Sequence, residues 1–343
     1  MQPATLITGG AGFLGAALVR RLVRDGCRVR VLDNLARGAA RRLADMAADV
    51  EVLEGDVRDP AAVLRAVQGI ERVWHLAFIN GTEFFYSKPE LVLEVGVKGM
   101  LNVLDACRRT RVRELFLASS SEVYQTPPAV PTDETAPLAI PDPLNPRYSY
   151  AGGKIISELL AVNYGRSAFD RVVIFRPHNV YGPDMGWEHV IPQFIGRMQA
   201  LARDPNDPLP FPIQGTGRQT RAFCFIEDCI EGLLRLLERG EHLGIYHVGT
   251  TEECAIETLA RLVGEQFGRR IAVAPGEPRP GSPARRCPDI RRLAALGFAP
   301  RWTLRDGLIE TVRWYNEHRH LAPDSDAKGP AWSVSSPLAP DPA

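Results

Sequence analysis

The sequence has no excess of charge of either sign. Its 343 residues hold 41 Lys and Arg residues against 41 Asp and Glu residues, so the formal net charge is zero. A chain without a net field does not attract nucleic acid or a membrane surface as a whole, and we expect neither as a partner. Any anionic ligand must therefore be held by local groups.

The sequence also lacks the patterns that mark metal sites and disulfide frameworks. Its six cysteines form no CxxC pair and lie near no group of histidines; they are Cys27, Cys107, Cys224, Cys229, Cys254 and Cys287. Scattered cysteines of this kind are typical of reduced, buried thiols. We therefore expect no metal site.

Long apolar runs are absent too. No stretch reaches 18 apolar residues, which argues against a membrane-spanning helix. An apolar strand is predicted almost at residue 1 and leaves no room for a signal peptide, so we expect a soluble, cytoplasmic protein. Residues 321–343 are rich in Pro, Ser and Asp without an apolar period, which predicts a disordered tail.

Short β-branched runs alternate with amphipathic stretches along the first half of the chain. They predict strands at residues 5–8, 29–32, 50–53, 72–76, 114–118 and 171–175, and helices at 12–25, 61–67, 88–108 and 149–166. This alternation indicates an α/β fold, a Rossmann-type doubly wound parallel sheet covered by helices. Prolines then become frequent, and with predicted helices at 227–239 and 255–267 we assign 178–320 to a smaller C-terminal lobe, partly interleaved with residues 1–177.

A glycine-rich turn follows the first predicted strand and opens the first helix. Residues 8–15 read TGGAGFLG, in which Gly9 and Gly12 permit a tight turn close to a pyrophosphate. Gly15 lets the helix pack on the strand. Asp33 ends the second strand, where a carboxylate accepts hydrogen bonds from the adenosine ribose and repels a 2′-phosphate. The pattern predicts a dinucleotide site that prefers NAD to NADP.

Other strand ends extend this predicted site across residues 1–177, the NAD-binding domain. Asp56 could hydrogen-bond the adenine amino group and the backbone of 75–78 could line the cofactor, although both also fit plain strand ends. Arg37 is the one nearby residue that could admit NADP. The candidate cofactor-binding residues are Gly9, Gly12, Phe13, Leu14, Gly15, Asp33, Asn34, Asp56, Val57, Leu76, Ala77, Phe78, Tyr150 and Lys154.

Tyr150 and Lys154 stand four residues apart on a predicted helix and therefore share one face. Near Lys154 and a positive nicotinamide ring, the charged form of Tyr150 is favoured and its pKa falls from about 10 toward neutrality. Such a tyrosine can remove a proton from a substrate hydroxyl while hydride leaves the same carbon. Ser120 ends a predicted strand at the carboxyl edge of the sheet, where it could bond the same oxygen.

Five motifs in this order resemble the NAD-dependent epimerase/dehydratase family of extended short-chain dehydrogenases. They are GGAGFLG at 9–15, HLA at 75–77, SSSEVY at 119–124, YAGGK at 150–154 and RPHNVYGP at 176–183. The resemblance runs from about residue 4 to 318. It implies a Rossmann domain, NAD as a recycled cofactor, a nucleoside-diphosphate sugar as substrate, and a homodimer formed through the two long helices of the first half.

The resemblance also implies roles for single residues. Ser120, Tyr150 and Lys154 match the family's oxidoreductive trio, and the groups that match its contacts to the substrate diphosphate and nucleoside are Asn179, Arg221 and Arg286. The chain departs from the family at three places, where Phe78 replaces a small residue, Gly96 an asparagine and Gln125 a glycine. These departures affect the surroundings of the nicotinamide and the sugar, and therefore the choice of substrate.

Glu122 bears on the reaction that follows oxidation at C4. A 4-ketone makes the hydrogens on C3 and C5 acidic, and a carboxylate two residues after Ser120 could abstract the C5 proton. Sugar 4,6-dehydratases and UDP-glucuronate decarboxylases carry glutamate at this position, whereas GDP-mannose 3,5-epimerases carry a cysteine. The other interpretation is that Glu122 forms a structural salt bridge. A simple 4-epimerase needs no such base.

The second half of the sequence is most similar to GDP-mannose 3,5-epimerases. His189 lies near the position of their catalytic lysine and could return a proton to the opposite face, although a lone histidine is often structural. We therefore predict an epimerase that works through a 4-keto intermediate, with C5 or C3/C5 chemistry ahead of inversion at C4 alone. The alternatives are a 4,6-dehydratase, a UDP-glucuronate decarboxylase, a simple 4-epimerase and, remotely, a non-catalytic nucleotide sensor.

Overall fold

The computed structural model describes residues 4–277 and 283–323. Its strands, in chain order, are β1 (Thr5–Thr8), β2 (Val29–Asp33), β3 (Val50–Glu54), β4 (Arg72–His75), β5 (Glu114–Ala118), β6 (Arg171–Pro177), β7 (Val180–Tyr181), β8 (Leu209–Ile213), β9 (Thr220–Ala222), β10 (Cys224–Phe225), β11 (Gly244–Val248), β12 (Glu253–Ala255), β13 (Ile271–Pro275) and β14 (Arg285–Arg286). The first six correspond to the six strands that the sequence predicts, although β4 ends one residue before the predicted limit at 76.

Helices connect these strands. They are α1 (Phe13–Arg24), α2 (Pro60–Ala66), α3 (Thr82–Ser87), α4 (Pro89–Leu93), α5 (Gly99–Thr110), α6 (Ser149–Ala168), α7 (Val190–Ala200), α8 (Ile226–Arg239), α9 (Ile256–Gln266), α10 (Arg291–Ala295) and α11 (Leu304–Glu317). Short 3-10 turns lie at Ala40–Met46, Ser121–Tyr124, Pro146–Tyr148 and Arg319–Leu321.

Seven strands form one parallel sheet in the order β3-β2-β1-β4-β5-β6-β11. The strand order reverses between β1 and β4, and a crevice opens at the carboxyl ends of strands on either side of such a point. The predicted Rossmann-type fold is confirmed. The seventh strand comes from the second half of the chain, because β11 returns to pair with β6.

The rest of the second half forms three small sheets, which pair β9 with β12 and β14, β8 with β13, and β7 with β10. These sheets and α7 to α11 make up most of the region predicted as the smaller lobe. The proposed division at residue 177 stays a prediction. Of the predicted disordered tail, residues 324–343 lie outside the described part of the chain.

The helix predicted over residues 88–108 is divided into three parts. A π-helical turn at Glu94–Lys98 separates α4 from α5. The carbonyl of Gly96 inside this turn accepts a hydrogen bond from Ser157 Oγ of α6 at 3.1 Å. The periodicity of apolar residues continues through the turn and therefore does not reveal it.

Apolar residues fill both faces of the sheet. On one face Trp74 of β4 stacks on Phe116 of β5, with ring centroids 4.1 Å apart. On the other face Leu6 and Leu115 pack against Val103 of α5. No helix among residues 4–277 and 283–323 is long and apolar enough to cross a membrane. The same residues contain no group of His, Cys, Asp and Glu that could hold a metal ion.

Candidate functional site

A cleft of about 600 Å³ opens at the carboxyl edge of the sheet. Its walls come from the turns after β1, β2, β3, β4 and β5, from α6, and from the segment before α7. All fourteen candidate cofactor-binding residues line this cleft. The fold therefore brings together the groups that the sequence analysis picked out one by one.

The glycine-rich turn is shaped for close backbone approach. Gly9 has φ +74°, and a β-carbon there would come within 2.8 Å of the backbone of Ala77. A β-carbon on Gly15 would collide with the carbonyl oxygen of Gly9. Helix α1 begins directly after Gly12 without a side-chain cap, which leaves amide donors in its first turn for an anion. This geometry suits a pyrophosphate.

The carboxylate of Asp33 is buried at the end of β2 and held by the backbone. Oδ2 accepts a hydrogen bond from the amide of Ala11 at 2.9 Å, and Oδ1 accepts one from Leu35 at 2.9 Å. Each oxygen keeps a second lone pair, which suits two ribose hydroxyls. Arg37 forms an ion pair with Glu188 at 3.1 Å and lies over the ring of Phe84, so its guanidinium already has partners.

Asp56 lines the cleft after β3, and its carboxylate has more hydrogen-bond partners than its sequence position suggested. Its carboxylate accepts hydrogen bonds from Arg58 and, at 2.9 Å, from Asn34 Nδ2. These bonds, that from Arg58 foremost, lower the pKa of Asp56 to about 2. Asp56 therefore stays charged and fixes Asn34 at the adenine end of the predicted site.

The predicted trio of Ser120, Tyr150 and Lys154 comes together beside the cleft, and Tyr150 and Lys154 line it. The Ser120 hydroxyl bonds the phenol of Tyr150 and accepts the amide of Glu122 at 3.1 Å. Lys154 Nζ donates to the carbonyl oxygen of Ala118 at 2.5 Å and lies 5.7 Å from the Tyr150 ring centroid. All three side chains belong to buried residues.

Burial has the largest effect on the pKa values of Tyr150 and Lys154. It raises the pKa of Tyr150 well above its ordinary value, and the hydrogen bond to Ser120 opposes that rise without cancelling it. Burial lowers the pKa of Lys154 to about 7, while Glu158 acts in the opposite direction. Lys154 alone therefore does not produce the lowering of the Tyr150 pKa that the sequence analysis predicts.

Glu122 forms an ion pair with Arg286, with Oε1 and Nη1 2.6 Å apart. Burial acts to raise the pKa of Glu122, but Arg286, Arg147 and Arg221 outweigh it and hold that pKa below its usual range. The Glu122 side chain is one-quarter exposed (25%), so it remains open to a ligand. Glu122, a candidate base, and Arg286, a candidate for substrate binding, are therefore direct partners.

Two atoms of the arginines that act on Glu122 are buried without a hydrogen-bond partner in the described residues. They are Arg286 Nη2 and Arg147 Nε. A buried donor that is left unpaired costs free energy, on the order of 1–3 kcal/mol, unless a ligand or water satisfies it. Two guanidinium groups form a donor set that fits anionic oxygens.

Strand pairing sets the position of the remaining substrate-binding candidates. Arg221 of β9 stands directly opposite Arg286 of β14, which places the two guanidinium groups side by side. Burial and the charge of Arg286 lower the pKa of Arg221 to about 10. Asn179 donates from Nδ2 to the carbonyl of Ala222 at 3.0 Å, next to Arg221 in the chain.

His189 lies in the cleft wall but in a different electrostatic neighbourhood. Burial lowers its pKa, and the charges that act on it are those of Glu188 and Arg37. The charges that act on Glu122 come from Arg286, Arg147 and Arg221 instead. The predicted return of a proton by His189 stays a prediction, and its surroundings link it to the rim of the cofactor cleft.

Sequence reasoning missed two residues that contact the trio's surroundings. Arg147 stands three residues before Tyr150 in a 3-10 turn that leads into α6, and this spacing was a usable signal for a group near the same site. Phe85 of α3 stacks on Tyr150 with ring centroids 4.9 Å apart. Its segment is apolar, but nothing in its spacing points to Tyr150.

Gln125 is one of the departures from the family pattern, in which this position is usually glycine. It has φ +53°, a conformation that favours glycine and that few other residues adopt. Its side-chain Nε2 donates to the carbonyl of Glu122 at 2.5 Å, and this bond secures the turn that carries Glu122. The side chain therefore offsets part of the backbone strain that glycine would avoid.

Comparison with known proteins agrees with this geometry. The model of the NAD dependent epimerase/dehydratase family matches residues 5–249. UDP-glucuronic acid decarboxylase 2 of Arabidopsis thaliana is 33% identical over 320 residues, which cover 91% of this chain and 68% of that protein.

Two solved structures are also similar. The dTDP-glucose 4,6-dehydratase DesIV of Streptomyces venezuelae, solved with NAD bound, has a TM-score of 0.83 and 29% identity, covering 92% of this chain and 98% of that one. The UDP-glucose 4-epimerase of Thermus thermophilus, in complex with NAD, has a TM-score of 0.80 and 31% identity, covering 92% and 99%. The chain therefore belongs to the NAD dependent epimerase/dehydratase family and is an NAD-dependent enzyme.

Proposed function

We propose that this enzyme oxidises the sugar of a nucleoside-diphosphate sugar at C4 and then changes the stereochemistry at C5 through Glu122. The observation that carries the proposal is the position of Glu122. Its carboxylate is held charged by Arg286, Arg147 and Arg221, and its charge also acts on the phenol of Tyr150. This electrostatic contact supports a base, Glu122, that acts beside the oxidising residue Tyr150.

The first step belongs to Tyr150 and Ser120. Tyr150 accepts the proton of the C4 hydroxyl, and Ser120 donates a hydrogen bond to the same oxygen. Bound NAD supplies the acceptor for the hydride and a positive ring that opposes the effect of burial on Tyr150. Lys154, as an ammonium ion, favours the phenolate and orients the cofactor ribose.

The diphosphate is held by the arginines that surround Glu122. Arg286, Arg221 and Arg147 offer guanidinium groups to phosphate oxygens, and bidentate contacts of this kind are strong and directional. Asn179 orients the nucleoside side of the substrate. Because the chain has no net charge, these local groups carry the recognition of the anion.

The second step uses the acidity that the 4-ketone gives to C5. Glu122 is charged at neutral pH because its pKa lies below the usual range, so it can accept the C5 proton. Return of a proton to the opposite face, with His189 as the proposed donor, followed by return of the hydride, gives the C5 epimer. Similar access to C3 gives the 3,5-epimer.

Decarboxylation of a nucleoside-diphosphate hexuronate is the second candidate. One observation favours it: UDP-glucuronic acid decarboxylase 2 of Arabidopsis thaliana is 33% identical to this chain over most of its length. In this alternative a sugar carboxylate takes the place of Glu122 on Arg286, and the 4-ketone then drives loss of CO₂ from C5. Arg286 serves as an anion site in both candidates.

We also propose a homodimer, on the basis of exposed apolar side chains on two neighbouring helices. Leu159 and Ile156 of α6 are 58% and 39% exposed, and Leu93 of α4 is 37% exposed. A contiguous apolar face of this kind fits an interface between two copies of the chain. Sedimentation at micromolar concentration tests it, and Leu159→Glu is expected to yield monomers. The cytoplasmic location stays a prediction.

The reaction is tested by incubation of the purified protein with a panel of UDP-, GDP- and dTDP-sugars that includes UDP-glucuronate. Mass spectrometry and NMR of the products separate the outcomes. An isomer of unchanged mass with an inverted C5 supports the proposal. Loss of one CO₂ identifies the decarboxylase, loss of one water a dehydratase, and inversion at C4 alone a simple 4-epimerase.

A further inference from the structure

The ring of Phe78 fills a gap between two helical segments that each carry a glycine at the contact. Gly96 lies in the π-helical turn and Gly153 lies in α6. A β-carbon on Gly96 would overlap Cζ of Phe78 and lie 2.6 Å from Cε2, and one on Gly153 would lie 3.0 Å from Cζ. Phe78 therefore occupies the space of two missing side chains.

The same ring faces the catalytic pair. Lys154 Nζ lies 4.0 Å from the Phe78 ring centroid, at the distance of a close cation–π contact. The ring of Tyr150 meets Phe78 edge to face, with centroids 5.0 Å apart and planes at 77°. Phe78 thus contacts the ammonium and the phenol at once, from the end of β4.

We propose that Phe78 is a positioning residue that holds the charged Lys154 against its ring face beside Tyr150, and that Gly96 and Gly153 are glycines in order to admit that ring. The proposal rests on the proposed oxidation at C4 in one respect, namely that Lys154 acts as an ammonium ion. The contacts themselves do not depend on which sugar is used or on the fate of C5.

The charged and titratable groups that face Lys154 from the surrounding elements are few. Within the described chain they are Glu158 and Tyr150 on α6 and His75 at the end of β4. Burial already lowers the pKa of Lys154 to about 7, so a modest loss of attraction shifts its charge near neutrality. A cation–π contact in a desolvated place is strong enough to move such a titration by about one pH unit.

The composition makes this titration measurable. The chain has only four lysines, Lys88, Lys98, Lys154 and Lys328, so ¹³Cε-lysine labelling gives few NMR signals. Lys154→Met assigns the signal of interest by its disappearance. The titration is followed in the purified protein, with its bound nucleotide, for wild type and for two variants, Phe78→Leu and Phe78→Tyr.

We expect Phe78→Leu to lower the pKa of Lys154 by about one unit, because Leu keeps most of the packing and loses the ring face. Phe78→Tyr is expected to restore the wild-type value. Phe194→Leu is the control, since it also removes a ring that lies beneath a cation, that of Arg197 at 5.7 Å. An unshifted Lys154 signal in folded Phe78→Leu would overturn the proposal.

A double-mutant cycle, measured by melting temperature, tests whether Gly96 is a glycine because the Phe78 ring lies against it. Gly96→Ala is expected to lower the melting temperature of the wild type by about 5 °C, because the new methyl group meets the Phe78 ring. In the Phe78→Ala background the same change should cost little. An equal loss of melting temperature in both backgrounds would show that the Phe78 ring is not what requires a glycine at position 96. Neither experiment uses turnover, so a wrong assignment of the reaction leaves both readouts intact.

Discussion

Two groups of residues in the proposed site, the cofactor end and the sugar end, are built in different ways. The cofactor end is made of backbone and strand termini: the glycine turn after β1, Asp33 at the end of β2 and Asp56 after β3. The proposed sugar end is made of charged side chains, and Glu122, Arg147, Arg221 and Arg286 come from four separate segments of the chain. The cofactor end offers a ligand a backbone shape, and the proposed sugar end offers a cluster of charges that only the fold assembles.

This difference explains how one scaffold can serve several reactions. The cofactor end is fixed by sterics, since a β-carbon at Gly9 would meet the backbone of Ala77 and one at Gly15 the carbonyl oxygen of Gly9. The sugar end is fixed by ion pairs such as that of Glu122 with Arg286, which can be exchanged for pairs with a ligand. Substitutions at the two ends should therefore fail in different ways.

The largest effect is expected where the two ends meet, at Tyr150. Tyr150→Phe removes the hydroxyl and keeps the ring, so NAD should remain bound while turnover falls on the order of 10²–10⁴-fold. Tyr164→Phe on the same helix serves as the control and should keep near-wild-type rates. Near-full turnover in Tyr150→Phe would exclude this residue as the acid/base.

Arg147 tests the charge cluster at the sugar end. Arg147→Met keeps much of the bulk and removes a charged donor, so KM for the nucleotide sugar should rise about 10- to 100-fold while kcat changes little. Steady-state kinetics measure this split. Arg285→Met is the control, because Arg285 of β14 is exposed and pairs with Glu253 instead of Glu122. An unchanged KM would remove Arg147 from the substrate site.

Asp33 tests the cofactor end. Asp33→Asn removes the charge and keeps the shape, so NAD should be retained about 10-fold less well and discrimination against NADP should weaken. The measurement is identification of the nucleotide released from the purified protein, with Asp49→Asn as the control. Release of NADP from the wild type, or stoichiometric accumulation of NADH during turnover, would contradict the assignment of recycled NAD.

The smallest expected effect concerns the stability of the fold and its dependence on pH. It involves two buried histidines, one near each end of the site. His75 bonds Thr8 Oγ1 beneath the cofactor end, and His247 bonds the Tyr124 hydroxyl beneath the sugar end. Burial lowers the pKa of His75 to about 3 and that of His247 to about 4. In the unfolded chain both titrate near 6.5, so below that pH the unfolded state binds more protons.

The free energy of unfolding therefore falls as the pH falls from about 6.5 toward 4, by up to about 1.4 kcal/mol per pH unit for each histidine. Urea unfolding at a series of pH values measures this slope. His247→Asn should reduce the slope by one histidine's share. A slope unchanged by that substitution would show that His247 is not neutral in the folded protein.

Local patterns made the cofactor end predictable. The glycine turn and Asp33 each follow a predicted strand, and Tyr150 and Lys154 are spaced by one helical turn, so neighbours in the sequence remain neighbours in the fold. The strand pattern up to β6 was readable for the same reason. In contrast, strand β11 joins the sheet by pairing with β6, and no local sequence pattern predicts this pairing.

The sugar end was only partly predictable. Glu122 and Arg286 were each singled out, but their ion pair joins residues far apart in the sequence and depends on how β14 lies beside β9. Arg147 was missed because it belongs to none of the motifs, although its place three residues before Tyr150 was a usable signal. The π-helical turn at Glu94–Lys98 was missed because a local change of helix type leaves the apolar periodicity almost intact.

The central claim is that Glu122 acts on C5 after oxidation at C4, and one measurement tests it most directly. The reaction of the true substrate is run in D₂O with wild type and with Glu122→Gln, and deuterium is located by NMR. Glu253→Gln, which breaks a neighbouring ion pair, is the control. We predict solvent deuterium at C5 in the wild-type and control products, and none at C5 with Glu122→Gln. A wild-type product without solvent deuterium at C3 or C5 would show that Glu122 is structural and that the enzyme inverts C4 alone.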